Sequence, residues 1–127
     1  MKRNKDYCKV PSTLWNGMIA PIAGYTVRGN IWYQGESNAH NREAHEKLFK
    51  LLVDSWRKNW EDNELPFYYV QLSSIDRPSW PWFRDSQRRF LTQIPHTGMA
   101  VTSDKGDSLN VHPTHKQEVG ERWLFGL

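Results

Sequence analysis

Between positions 42 and 60 the apolar residues Ala44, Leu48, Leu52, Trp56 and Trp60 recur every fourth residue. Only a helix brings that spacing into one stripe. Asn38 or Asn41, just ahead of the run, supplies a side chain able to cap it. Leu65-Pro66 then interrupts the pattern, and 67–72 is apolar on both parities. Such a segment suits a strand buried on both faces of a parallel sheet.

The same reading extends in both directions. Leu14, Met18, Ile19 and Ile22 share a helical face over 14–23, and Gly24 is placed to end that helix in a left-handed conformation. Val27, Ile31, Trp32 and Tyr33 mark a strand over 27–34, and 97–102 marks a third. Pro81 fits the first turn of a helix reaching Gln93, with Phe83, Phe90, Leu91 and Ile94 facing inward. Thr114 and Gln117 have capping-box spacing, which predicts a last helix from about His115 to the end of the chain. Strands and helices therefore alternate, with crossovers long enough for right-handed parallel units. The fold class expected is α/β, a three-layer α/β/α arrangement around a parallel sheet. Chemistry in such sheets gathers beyond the C-terminal strand ends. The polar loops 34–38, 73–82 and 104–112 should meet at one rim.

Composition narrows the class of partner. Seven Trp, five Tyr and five Phe provide large side chains for a core or a cleft. The 17 basic and 14 acidic residues are interspersed, and only Lys2, Arg3, Lys5 and Lys9 cluster. A nucleic-acid partner needs a continuous basic face, which this pattern lacks. No stretch approaches the length of an apolar membrane span, and the first 25 residues carry no apolar leader run. Cys8 is the lone cysteine, so no internal disulfide is expected. The division expected is a basic segment 1–13 and a single folded unit 14–127.

Two polar clusters carry candidate chemistry. WYQGESNA at 32–39 places Gln34, Gly35, Glu36 and Asn38 where a strand hands over to a helix. A side-chain amide there can donate to an oxyanion. The same residues also suit a capped turn with Glu36 at a helix N-terminus. The second cluster runs from Asp104 to Lys116. His112 lies just before the predicted last helix, where the helix dipole favours the neutral imidazole that a general base requires. It equally suits a surface histidine. His112 and His115 form a His-x-x-His pair, but no third ligand of matching character lies near them in sequence, so no metal or other cofactor is expected.

WYQGESNA at 32–39 resembles the signature of the sialate O-acetylesterase family, a branch of the SGNH hydrolases. Further matches follow in family order: NGMIAP at 16–21, DSWR at 54–57, LPFYYVQL at 65–72, RDSQ at 84–87, TGMAVT at 97–102 and VHPTHKQEVG at 111–120. The resemblance implies the flavodoxin-like SGNH fold, here its C-terminal part and incomplete on the N-terminal side. It implies serine-type removal of acetyl groups from sugar hydroxyls, with His112 as base and Gln34 as oxyanion donor. The implied partner is an O-acetylated carbohydrate, together with the missing N-terminal part or another chain.

Two departures stand beside this resemblance. None of the nine serines lies in the family's nucleophile block. Leu109 occupies the position where many SGNH enzymes carry the aspartate of the triad, three residues before the histidine. Asp104, Asp107 or Glu36 could serve instead, or a Ser–His dyad could operate with a backbone carbonyl orienting the ring. Gly35, Asn38, Trp80 and Trp82 are the substrate-binding candidates, the two tryptophans as stacking surfaces in a Trp/Pro loop. A carbohydrate-binding remnant using Trp32, Trp80 and Trp82, and a half-domain that requires a partner chain, are the competing readings.

Overall fold

The computed structural model describes residues 10–110 and 116–125. A π-helical turn, Trp15–Ile19, runs into a 3-10 turn, Ala20–Ile22, and is followed by β1 (Asn30–Trp32), α1 (Arg42–Asn59), β2 (Phe67–Gln71), α2 (Trp80–Gln93), β3 (Thr97–Val101) and α3 (Lys116–Phe125). The strands form a parallel sheet in the order β1-β2-β3, with Asn30 opposite Phe67 and Phe67 opposite Thr97. Each crossover between neighbouring strands carries a helix, as the α/β reading requires.

Successive residues of β2 point to opposite faces. Phe67 and Tyr69 meet Phe49 and Val53 of α1 and Phe90 and Ile94 of α2, with Trp32 and Met99 at the margins. The Phe49 and Phe90 rings stack at 4.7 Å between centroids. Burying a residue such as Phe67 contributes roughly 1.5–3 kcal/mol. On the other face Val70 and Ala100 are also buried, α3 packs along β3, and Ile31 on β1 is exposed. That face is thus covered at β2 and β3 and open at β1.

Several boundaries and faces differ from the sequence reading. β1 is confined to Asn30–Trp32, because the chain pairs with β2 only there. The expected helix over 14–23 is a π-helical turn followed by a 3-10 turn, with Leu14, Met18 and Ile22 exposed, although Gly24 does take the left-handed φ of 89°. In α1 the buried seam is His45, Phe49, Val53 and Arg57; of the expected stripe, Leu52 and Trp56 pack against the margin of the core and Leu48 is 61% exposed. The seam's two ends are polar and satisfied locally. Arg57 donates to the carbonyls of Leu65 at 3.2 Å and Pro95 at 2.7 Å, and His45 bonds to Asn38. Asn41 is the cap of α1, accepting from the Ala44 N–H at 3.2 Å. Leu91 faces solvent, because Ser86 and Gln87 fill the seam of α2 between Phe83 and Phe90. Thr114 and His115, where the last helix was expected to be capped, lie outside the described residues.

Gln87 has a specific task. The Asn30 N–H bonds to the Pro66 carbonyl, and the Phe67 N–H to the His96 carbonyl. Alternation then turns the backbone groups of Val70 and Leu72 toward the β1 side. β1 has already left the sheet there. The Gln87 side chain takes its place: Nε2 donates to the Val70 carbonyl at 3.1 Å and Oε1 accepts from the Leu72 N–H at 3.0 Å. The Tyr69 hydroxyl donates to the Gln87 carbonyl at 2.7 Å, tying the same turn of α2 to the strand. Gln87→Leu keeps the volume and orphans two buried backbone groups. At about 1–3 kcal/mol for each group, the loss of stability should be about 2–6 kcal/mol, measured as a lower denaturant midpoint.

Candidate active site at the C-terminal rim of the sheet

The three loops that leave the strands do gather at one rim. After β1 the chain turns at Gly35, makes the 3-10 turn Glu36–Asn38 and enters α1. Gly35 has φ 147°, a backbone state that L side chains rarely adopt, and a Cβ there would lie 3.1 Å from the Phe83 ring. Ala39, Leu72, Trp80 and Phe83 form a buried pedestal under this turn, with Tyr33 and Ile75 against it. The loops after β2 and β3 are bonded together, by the Ser74 hydroxyl to the Ser103 carbonyl at 2.6 Å and by the Asp76 N–H to the Ser108 carbonyl at 3.1 Å.

The candidate residues divide on this rim. Gln34 and Asn38 line one cavity of about 410 Å³, together with Trp32, His45, Leu48 and Leu51. Glu36 turns back on its own loop and accepts from the Gly35 N–H at 3.1 Å. Gly35 itself is buried, so its part is to shape the turn rather than to touch a ligand. Trp80 is 3% exposed and donates its indole N–H to the Ser73 carbonyl at 2.6 Å, which makes it a core residue and not a stacking surface. Trp82 is 66% exposed and lines a separate groove of about 540 Å³ with His40, Arg42 and Ser79. Asp107 accepts from the N–H groups of Leu109 at 2.8 Å and Asn110 at 3.2 Å, holding the turn that precedes His112. His112 lies outside the described residues. Lys116, four positions later, places its ammonium 4.0 Å from the centre of the Tyr33 ring, next to Gln34.

The sequence reading passed over His45, which is 5% exposed. Its ring lies 4.6 Å from that of Phe83 and its Nδ1 lies 3.3 Å from the Asn38 side-chain nitrogen. Burial holds its pKa down at about 4, so the imidazole is neutral at neutral pH. The signal was available in principle, since a polar residue four before Phe49 and eight before Val53 falls on their helical seam. Asp104 is held at about 2, foremost by its hydrogen bonds from Arg122, which reach both carboxylate oxygens.

Ligands of parallel α/β sheets bind beyond the C-terminal strand ends, where Gln34 and Asn38 border this cavity. The comparisons point to one family. Residues 6–124 match the family model of the carbohydrate esterase, sialic acid-specific acetylesterase, and the chain belongs to that family. It is 34% identical to sialate O-acetylesterase of Mus musculus and 32% identical to that of Homo sapiens, with 91% of this chain aligned in each case. The alignments cover 25% and 26% of those two proteins, so the chain spans about a quarter of their length. The crystal structure of a carbohydrate acetylesterase from Xanthomonas citri superposes with a TM-score of 0.78 at 38% identity, over 85% of this chain and 27% of that one.

The buried imidazole makes a pH prediction. His45 titrates near 6.5 when unfolded and near 4 in the fold. Between these values the unfolded chain takes up the proton first, so His45 lowers stability as pH falls from about 6.5 to 4 and has no effect above about 7. Urea midpoints measured across this range should fall more steeply for the wild type than for His45→Gln. At the turn above it, Gly35→Ala should cost about 1–3 kcal/mol through its disfavoured φ alone, read from the same denaturant curves.

Proposed function

We propose that this chain supplies the oxyanion donor and general base of a carbohydrate O-acetylesterase whose serine nucleophile lies outside the 127 residues. The observation that carries this reading is the convergence of Gln34 and Asn38 on one cavity beside the pedestal. The contact of Lys116 with Tyr33 supports it, because it brings the start of α3 up to the β1 loop, four residues beyond His112.

In this mechanism His112 accepts the proton of the serine hydroxyl as the oxygen attacks the acetyl carbonyl carbon. The carbonyl electrons move onto oxygen, where the Gln34 amide donates to the oxyanion. Collapse breaks the bond to the sugar oxygen, which leaves with the proton from His112. Water then attacks the acyl-serine with His112 again as base, releasing acetate and restoring the hydroxyl. The substrate class is an O-acetylated sugar, in keeping with the names of the relatives.

Exposed Trp82 in its groove favours a second reading, a carbohydrate-binding segment without turnover. One set of measurements separates the two. In an esterase that carries this segment together with a serine block, His112→Ala should lower turnover of a chromogenic acetyl ester by several orders of magnitude. Gln34→Ala should cost about 10²–10³, because backbone donors remain. The 127-residue chain by itself should stay at the background rate. Full enzymatic rates from the chain alone, unchanged by His112→Ala, would reject the assignment.

A further inference from the structure

We infer that His45 is a positioning residue whose Nδ1 accepts a hydrogen bond from the Asn38 side-chain amide and so fixes how Asn38 faces the cavity it shares with Gln34. The inference rests on the esterase reading for the importance of that cavity, and on geometry alone for the role of His45.

Asn38 Nδ2 carries only donors, so at 3.3 Å its partner Nδ1 must be the acceptor. The ring is then the Nε2–H tautomer. With one amide hydrogen committed to His45, Asn38 keeps its second hydrogen and its carbonyl oxygen to offer a ligand. Without a fixed partner the amide could rotate and exchange donor for acceptor toward the cavity. The ring is itself held in place. It lies on α1, 5% exposed, wedged against Phe83 at 4.6 Å, Phe49 at 5.8 Å and Phe90 at 5.9 Å. Burial among aromatic rings disfavours the imidazolium, which could not accept this bond. The arrangement resembles outer-shell control of ligands in metal sites, where such partners typically alter activity by about 10–100-fold.

Two substitutions separate positioning from packing. The side-chain oxygen of Asn can replace Nδ1, whereas that of Gln reaches toward the place of Nε2. In the chain labelled with ¹⁵N, long-range proton–nitrogen spectra should show an unprotonated Nδ1 and a protonated Nε2 on His45. The Asn38 side-chain amide resonances should move in His45→Gln and return toward the wild-type position in His45→Asn. In the esterase carrying this segment, His45→Gln should lower kcat by about 10–100-fold and leave KM nearly unchanged, with His45→Asn restoring most of the loss. An Nδ1–H tautomer in the wild-type chain, which needs no variant to fold, overturns the inference and leaves the esterase reading intact. Unchanged kcat in Asn38→Ala also overturns it, by removing the group that His45 serves. Loss of kcat in both His45 variants, in proportion to their loss of thermal stability, would reduce His45 to a core residue.

Discussion

The side-chain amide of Gln87 stands where a strand would otherwise be. β1 pairs with β2 for only three residues, and its departure at Tyr33 frees the chain to make the turn that carries Gln34, Glu36 and Asn38. A buried strand cannot leave its carbonyl and N–H unmatched without a cost of about 1–3 kcal/mol for each group. By meeting Val70 and Leu72, Gln87 lets β2 run on past the end of its neighbour. The next backbone carbonyl toward β3, that of Gln71, is met by the Thr102 hydroxyl at 2.7 Å. The rim therefore opens with the Val70 and Gln71 carbonyls and the Leu72 N–H each met by a side chain.

The turn that follows β1 depends on the same departure. Gly35 can lie flat on Phe83 because it has no Cβ, and the pedestal beneath it is built from residues of all three segments that border the β1–β2 end of the sheet. Trp80 and Phe83 serve the pedestal from the first turn of α2, which is why one tryptophan of the Trp/Pro loop is lost to the core while Trp82 remains outside. Asn38 and His45 are joined across the entry to α1. The turn, its floor and its amide are thus one packed unit, and substitutions in any of them should be felt by the others.

Periodicity and breakers made the alternation of strands and helices legible, and the three parallel strands fall where the patterns at 27–34, 67–72 and 97–102 put them. The faces were less legible. Counting apolar residues assigned Leu48 to the core of α1 and missed His45 and Arg57, since a polar side chain that finds its partners inside is indistinguishable in sequence from one in water. The same limit applies to Trp80, whose buried indole N–H needed the Ser73 carbonyl, a partner visible only once the loop is folded. Gln34 and Asn38, four apart across a glycine turn, were legible as a pair through the motif. Their common cavity depends on Leu48 and Leu51 of the next helix, long-range neighbours that no local pattern encodes.

Asp104, Asp107 and Glu36 are the carboxylates that could orient His112, and their contacts differ. Asp104 engages both oxygens on Arg122, and those hydrogen bonds hold it strongly ionised. Turning it toward an imidazole would require breaking a bidentate pair. Asp107 uses one oxygen, Oδ1, to hold the turn at Leu109 and Asn110, and Glu36 uses one, Oε2, on the Gly35 N–H. A carboxylate has capacity for more than one such bond, so either could hold its loop and an imidazole together. Asp107 also lies five residues before His112 in the sequence, and its turn is formed within 107–110. Removing Oδ1 of Asp107 would take from the N–H groups of Leu109 and Asn110 the acceptor that holds their turn.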